Sequence, residues 1–302
     1  MPDLSPVIQL VQEEQYQGHT TRKHLFEEIE QIIGKPLVTY FTSLHYPAMI
    51  EDSDADMLEA ILQKLDLSAG LVLLISSHGG YGEAAERIIN VCRSASETGE
   101  FWVIVPGKAK SAATMICFGA SKILMRASSE LGPIDPQITL FEDGKPKWFS
   151  LCNLVDGYND LFNKAVNASG NLQPYLQQLA HYDHREIKEF EDAISLAEDI
   201  AIRSLATGMM KGKAKTQIKK KIEVFLTPKK TKSHGRPIYH DEASKCGLQV
   251  EHLNEKTELG QKIFELYVRT LNYTNTRSAK CIESKVHSFA TNPRTERRPS
   301  DE

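Results

Sequence analysis

The chain has 302 residues, 41% hydrophobic and 25% charged, which is enough apolar surface for a real core and too long for a disulfide-stapled miniature. A formal net charge of −4 argues against a protein built chiefly to hold nucleic acid. The five cysteines (Cys92, Cys117, Cys152, Cys246, Cys281) lie at least 25 positions apart, which excludes a zinc-knuckle pattern and fits free thiols in a reducing compartment.

The start, MPDLSPVIQLVQEEQ, has no basic region ahead of an apolar stretch, so no secretion signal is expected. The longest uncharged runs, 36–50 and 67–82, carry Ser, Thr, His or several Gly and do not read as membrane spans. The expectation is a cytoplasmic protein.

Residues 1–35 are polar and charged and predict an exposed helical arm. PLVTYFTS at 36–43 is rich in β-branched and aromatic residues and predicts the first strand. Met57, Leu58, Ile61, Leu62 and Leu65 recur at helical spacing behind Asp52 and Asp54. GLVLLIS at 70–76 is a continuous apolar run ended by Gly79 and Gly80, as for a strand buried on both faces. A helix over 84–95, a strand over 101–106, a small-residue helix over 111–120 and a short strand over 122–125 follow. Strand and helix thus alternate twice, which implies an α/β layer architecture with a largely parallel core sheet. Function in such sheets gathers at the carboxyl ends of the strands, here 77–82 and 107–111.

Beyond 137 the pattern changes. Residues 150–210 read as mostly helical, a helical extension of the α/β unit. Lys211–Lys232 carries nine lysines against one glutamate, Glu223, and reads as a solvated helix and loop. Residues 233–253 predict a loop, a short helix and a closing strand. The expected organisation is an arm over 1–35, the main domain over 36–253, a C-terminal helix over 254–290 and a disordered tail over 291–302.

Three segments bear chemistry. In Ser76-Ser77-His78-Gly79-Gly80, adjacent glycines after a buried strand let N–H groups approach a ligand with no Cβ in the way. Such N–H groups stabilise a developing oxyanion by roughly 3 kcal/mol each. In Gly107-Lys108-Ala109-Lys110-Ser111-Ala112-Ala113, Ser111 stands where a strand turns into a helix. That position commonly makes an N-cap, but small residues leave this hydroxyl uncrowded and the helix N-terminus favours negative charge beside it. In Leu131-Gly132-Pro133-Ile134-Asp135-Pro136-Gln137, two prolines fix an extended loop around Asp135, which could orient a base or simply form a turn.

In this order the segments resemble the serine dehydrogenase proteinase family, which sits with SppA and the Clp proteolytic subunit in the Clp/crotonase superfamily. The resemblance rests on Val105-Pro106, Ala109, Ser111 and Thr114, then Leu131 to Gln137, Lys164-Ala165, His234 with Pro237-Ile238, and Gly247-Leu248 with Val250. LGPIDPQ is its most specific piece. His78 replaces a proline of the family's Pro-Gly-Gly, and Ala112-Ala113 replaces a Gly-Gly. The resemblance implies a Clp/crotonase-like fold and a serine peptidase, independent of ATP, with Ser111 as nucleophile and N–H groups near Gly79–Gly80 and of Ala112 as oxyanion donors.

For the base, the resemblance to SppA implies Lys164, whose neighbours Phe162, Ala165 and Val166 suggest burial and a lowered pKa. His234 is the second candidate and His78 a third, with His78 more suited to shaping substrate access. Relatives also imply a homo-oligomer acting on peptide or protein substrates; no metal or cofactor is needed, and the net charge leaves nucleic acid unexpected. Two alternatives share the fold: an inactive scaffold, and a crotonase-like acyl-CoA enzyme that needs no Ser111. No Gly-x-x-x-x-Gly-Lys-Ser/Thr or His-Glu-x-x-His pattern points to NTPase or zincin chemistry.

Overall fold

The computed structural model describes residues 6–292 except 144. Helices α1 (Pro6–Gln17) and α2 (Lys23–Ile33) lead into β1 (Leu37–Thr42). The alternation continues through α3 (Asp52–Leu62), β2 (Leu71–Ser76), α4 (Gly82–Ala95) and β3 (Phe101–Val105). A two-residue β4 (Lys108–Ala109), α5 (Ala112–Gly119) and β5 (Lys122–Met125) complete it. Every residue of β1 and β2 is buried, which is why both read as unbroken apolar runs rather than alternating ones.

Next come β6 (Glu130–Leu131), a hairpin of β7 (Gln137–Glu142) and β8 (Lys145–Ser150), and the helices α6 (Leu151–Val166), α7 (Gln173–Leu179) and α8 (His184–Thr207). The lysine-rich stretch forms α9 (Lys215–Lys221), α10 (Glu223–Leu226) and α11 (Pro228–Thr231). The chain closes with β9 (Ile238–Tyr239), α12 (His240–Lys245), β10 (Val250–His252), α13 (Glu258–Thr276), β11 (Lys280–Glu283) and β12 (Ser288–Thr291).

The seven-stranded sheet has the order β10-β5-β3-β2-β1-β11-β12. Its first five strands are parallel, and β11 and β12 add antiparallel at the β1 edge. One face packs on α3, α4, α5 and α8 through Ile61, Ile88, Phe118 and Ile200; the other packs on α2 and α13 through Phe26, Ile29, Ile263 and Leu266. Phe118 and Phe225 meet edge to face at 5.1 Å and tie α10 to the first face. The architecture is the expected α/β one with a largely parallel core sheet.

Three expectations need correction. The arm is helical but not exposed throughout: Leu25, Phe26 and Ile29 of α2 are buried against the sheet, and the Arg22 guanidinium is buried between Glu14 and Glu283. The segment 254–290 is not one helix, because after α13 the chain forms β11 and β12. That strand pair is hard to read because β11 buries Lys280 and Glu283, charges that fit inside only because Asp54 and Arg22 meet them there. The β7–β8 hairpin lies where the sequence showed only a change of character. Of the expected disordered tail, Thr291 belongs to β12 and residues 293–302 lie outside the described ones.

Candidate active site

A second, three-stranded sheet of order β4-β6-β9 builds the site. Lys108 and Ala109 pair in parallel with Glu130 and Leu131, and these pair antiparallel with Tyr239 and Ile238. Continued beyond the strand ends, the parallel register sets Ser111 against Pro133, and the antiparallel register sets Asp135 against His234. Three distant segments therefore deliver Ser111, Asp135 and His234 to one end of a small sheet.

Ser111 joins β4 to α5 with φ 50° and ψ −120°. This is a sparsely populated conformation for a residue with a Cβ, costing about 1–3 kcal/mol, and such strain gathers at functional turns. The reason is spatial, since only Lys110 and Ser111 separate the end of the strand from the first turn of the helix. Ala112 and Ala113 are fully buried beneath it, and Ala113 N–H donates to Lys110 O at 2.9 Å. Thr114 Oγ1 donates to Ala109 O at 2.7 Å and accepts from Gly132 N–H at 3.1 Å, which ties the turn to the Leu131–Gln137 loop. The Lys110 side chain points away from Ser111. Its Nζ donates to Leu131 O at 3.0 Å and lies 3.3 Å from Glu130; burial lowers its pKa, against the pull of Glu130.

The glycine loop lies directly on this turn. Gly79 has φ 109°, and a Cβ there would sit 2.7 Å from both Lys110 O and Ser111 Cβ, so only glycine fits. Gly79 N–H donates to Ser77 Oγ at 3.0 Å, and Thr42 Oγ1 donates to the same hydroxyl at 2.8 Å. Among the described residues, no acceptor takes the N–H of Gly80 or of Ala112. Gly79 N–H is therefore already engaged, which narrows the expected oxyanion donors to Gly80 and Ala112. His78 is exposed by surface area, yet partial desolvation of its ring, and then the charges of Lys108 and Lys110, lower its pKa.

Asp135 is fully buried and its Oδ1 lies 2.8 Å from His234 Nδ1; its Oδ2 has no partner among the described residues. Ile134 N–H donates to Phe225 O at 2.7 Å, which fixes the loop that carries Asp135. The Asp135 charge adds to burial in pushing the half-buried Cys152 thiol up to about 11. Ser111 Oγ has no hydrogen-bond partner among the described residues.

The expected environment of Lys164 is corrected. Its side chain is 59% exposed on α6 and pairs with Asp160 at 2.6 Å, and that hydrogen bond raises its pKa above the ordinary lysine value. The apolar neighbours are themselves exposed: Phe162 is 48% and Val166 67% accessible, so they bury nothing. The sequence separated Asp135 from His234 and missed their pairing, whose only signal was LGPIDPQ and the His-x-x-Pro-Ile match. Thr114 and Ser77 stand within the singled-out segments, but nothing in the sequence marks their anchoring hydrogen bonds. Among the described residues, no group of three His, Cys, Asp or Glu side chains is placed to hold a metal, and no helix is long and apolar enough to cross a membrane.

Residues 11–144 match the family of ClpP-like SDH-type serine proteinases. The match takes in the Gly79–Gly80 loop, Ser111 and the Asp135 loop, and the fold described above is ClpP-like. An uncharacterized protein of Methanocaldococcus jannaschii is 34% identical over 107 residues, 35% of this chain. The shared segment spans only 34% of that relative's length. A solved 1510-N membrane-bound stomatin-specific protease aligns with 13% identity and a TM-score of 0.31, covering 73% of this chain and 98% of its own.

Proposed function

We propose that the protein is a serine peptidase in which Ser111 is the nucleophile, His234 the general base and Asp135 the residue that orients it. The observation that carries this reading is the pairing of a half-buried His234 with the fully buried Asp135, 2.8 Å apart, at the Ser111 end of the small sheet. The Ser111–Lys164 dyad has no part in it, because an exposed lysine held protonated by Asp160 cannot take a proton at neutral pH.

In the proposed cycle, Ser111 Oγ attacks the peptide carbonyl and its proton passes to His234 Nε2. The carbonyl oxygen, now an oxyanion, accepts from Gly80 and Ala112 N–H. His234 then protonates the leaving amine, the C–N bond breaks, and an acyl group remains on Ser111. Water, deprotonated by His234, releases the acid and restores the serine. Asp135 holds Nδ1 protonated so that Nε2 faces the reaction. The gap between Ser111 Oγ and a hydrogen-bond partner is usual for unliganded enzymes, where such bonds tighten with substrate.

The substrate class in this reading is a peptide or protein segment. The five cysteines are free and four are buried, which supports a cytoplasmic setting. The exposed aromatic surface of β7–β8 supports a homo-oligomer.

Labelling with a fluorophosphonate tests the assignment. The parent chain should label at Ser111, Ser111→Ala should not, and His234→Ala should label about 10²–10⁴ slower. Peptide hydrolysis by Ser111→Ala at the parental rate overturns the reading.

A further inference from the structure

A buried ionic network stands behind the glycine loop. Lys280 of β11 reaches Asp54 of α3 with Nζ–Oδ2 and Nζ–Oδ1 distances of 3.0 and 3.1 Å, and lies 3.3 Å from Glu51. Tyr40 of β1 donates its hydroxyl to Asp54 Oδ2 at 2.7 Å; burial, and then the Asp54 charge, raises the Tyr40 pKa well above normal. Asp54 and Tyr40 are 1% and 0% exposed, and Lys280 is 8% exposed. Placing one ammonium and a carboxylate in a sheet–helix interface costs several kcal/mol per ion before pairing. A helix N-terminus does not need so much; a solvated Asp cap would serve.

The network's output runs towards the site. Asp54 Oδ2 also accepts from Glu51 N–H at 2.7 Å, which fixes the peptide between Ile50 and Glu51. Ile50 in turn clamps the loop on both sides of Gly80: its N–H donates to Gly79 O at 2.9 Å, and its O accepts from Tyr81 N–H at 3.0 Å. A Cβ on Gly80 would overlap the Ile50 backbone, so the two segments are in direct contact. The sheet register adds a second line. Lys280 pairs with Thr42 across β1 and β11, and Thr42 holds the Ser77 hydroxyl that Gly79 N–H bonds. Both lines end on the peptide planes that aim Gly80 N–H.

We infer that Lys280, Asp54 and Tyr40 are positioning residues for oxyanion stabilisation, acting through Glu51 and Ile50 to hold Gly80 N–H in place. The inference rests on the peptidase reading, in which Gly80 is an oxyanion donor. None of the three touches substrate. Losing a donor outright lowers kcat roughly 10²–10³-fold, so loosening the loop that carries one should lower it about tenfold, with KM unchanged.

The test compares the parent, Lys280→Gln, Lys280→Arg and Tyr40→Phe. It uses amide hydrogen exchange of the 79–81 segment, kcat and KM on a peptide active ester, and affinity for a peptide aldehyde, whose adduct carries the tetrahedral oxyanion. Expected for Lys280→Gln is faster exchange confined to 50–51 and 79–81, a kcat about tenfold lower at constant KM, and aldehyde affinity falling in step. Lys280→Arg should recover most of kcat. Tyr40→Phe removes a single hydrogen bond and should show a smaller effect of the same kind, so the inference stays testable where Lys280→Gln fails to fold. Unchanged exchange at 79–81, faster exchange with unchanged kcat, or loss of ester binding with aldehyde affinity intact each overturns it. A parent chain that neither labels at Ser111 nor hydrolyses the ester sinks the peptidase reading instead, a failure visible before any variant is compared.

Discussion

His234 Nδ1 lies 2.8 Å from the buried Asp135 Oδ1 although 99 residues separate the two in sequence. The pairing follows from a two-residue strand contact. Leu131 sits opposite Ile238, and from there the two chains run in opposite directions to Asp135 and His234. Proline on each side of Ile134-Asp135 keeps its chain extended. Thr231 and Lys232 turn the other chain at the end of α11, where Lys232 has φ 64°. A buried carboxylate with one imidazole nitrogen beside it favours the tautomer with a proton on Nδ1, and that leaves Nε2 as the basic nitrogen.

Asp135→Asn should keep the shape of the loop and remove the charge. A comparable change in a serine–histidine–aspartate site lowers kcat about 10⁴-fold by stabilising the wrong tautomer. The expected outcome is a loss of at least about 10³ in kcat on an active ester with the circular dichroism unchanged. Lys164→Met should leave kcat within about twofold, since it removes only an exposed ion pair. The pH profile separates the two bases as well. A group whose pKa is raised above the ordinary lysine value stays protonated and inert until strongly alkaline pH, so a lysine base would give a rate that keeps climbing into that range. A rate that climbs steadily to pH 10 in the parent, and that Lys164→Met abolishes, would return the role to lysine.

The parallel half of the fold was legible because its strands are buried on both faces and so are largely apolar, while glycine marks the ends of β2 and β3. What was not legible shares one physical cause: residues whose environment supplies what their side chains lack. The charges of Lys280 and Glu283 give no sign of burial in the sequence, and only Asp54 and Arg22 beside them account for it. Phe162 and Val166 read as burying Lys164, yet they face outward. The serine at the turn, the glycine loop and LGPIDPQ were each visible. Their convergence was not, because β4, β6 and β9 have two residues each, too few to show any alternation.

Ser111 should be a site where stability and function oppose each other. Its φ of 50° and ψ of −120° suit glycine better than any residue with a Cβ. Ser111→Gly relieves strain of about 1–3 kcal/mol and loses roughly 0.5–1 kcal/mol to the greater freedom of the unfolded chain. The expected outcome is an inactive protein more stable by about 1 kcal/mol, read as a higher urea midpoint at constant m-value. Ser111→Ala should be equally inactive with no such gain, because its Cβ remains. A Ser111→Gly variant less stable than Ser111→Ala would show that the turn is not strained.

Stability in acid should carry a signature from α8. Asp183 caps this helix, and its pKa is held down to about 2 by hydrogen bonds from the Arg185 side chain and then from its backbone N–H. The folded pKa is below the ordinary value of about 3.9, so the stabilising contribution is complete above pH 4 and disappears as pH falls through about 2. Asp183→Ala should therefore lower Tm by a constant amount between pH 5 and 7, and the gap from the parent should close between pH 4 and 2. A gap that stays constant down to pH 2 would show that the cap acts through shape and not charge.

The β7–β8 hairpin gives the last prediction. Its register pairs Thr139 with Trp148 and Phe141 with Pro146, and side chains opposite each other, or two apart along a strand, share a face. Phe141 and Trp148 therefore lie on one face, and they are 73% and 62% exposed. An isolated two-stranded ribbon is marginal in water, and a monomer rarely leaves two large aromatics on one ribbon face uncovered. The occupant proposed here is the same face of a second copy, since a two-fold contact is self-complementary by symmetry. Light scattering of the parent should return at least twice the 33.9 kDa of one chain. Phe141→Ser combined with Trp148→Ser should return a single chain with its circular dichroism retained, because neither ring enters the core. A parent that scatters as one chain at every concentration, or a double variant with the parental mass, would remove this face as the contact.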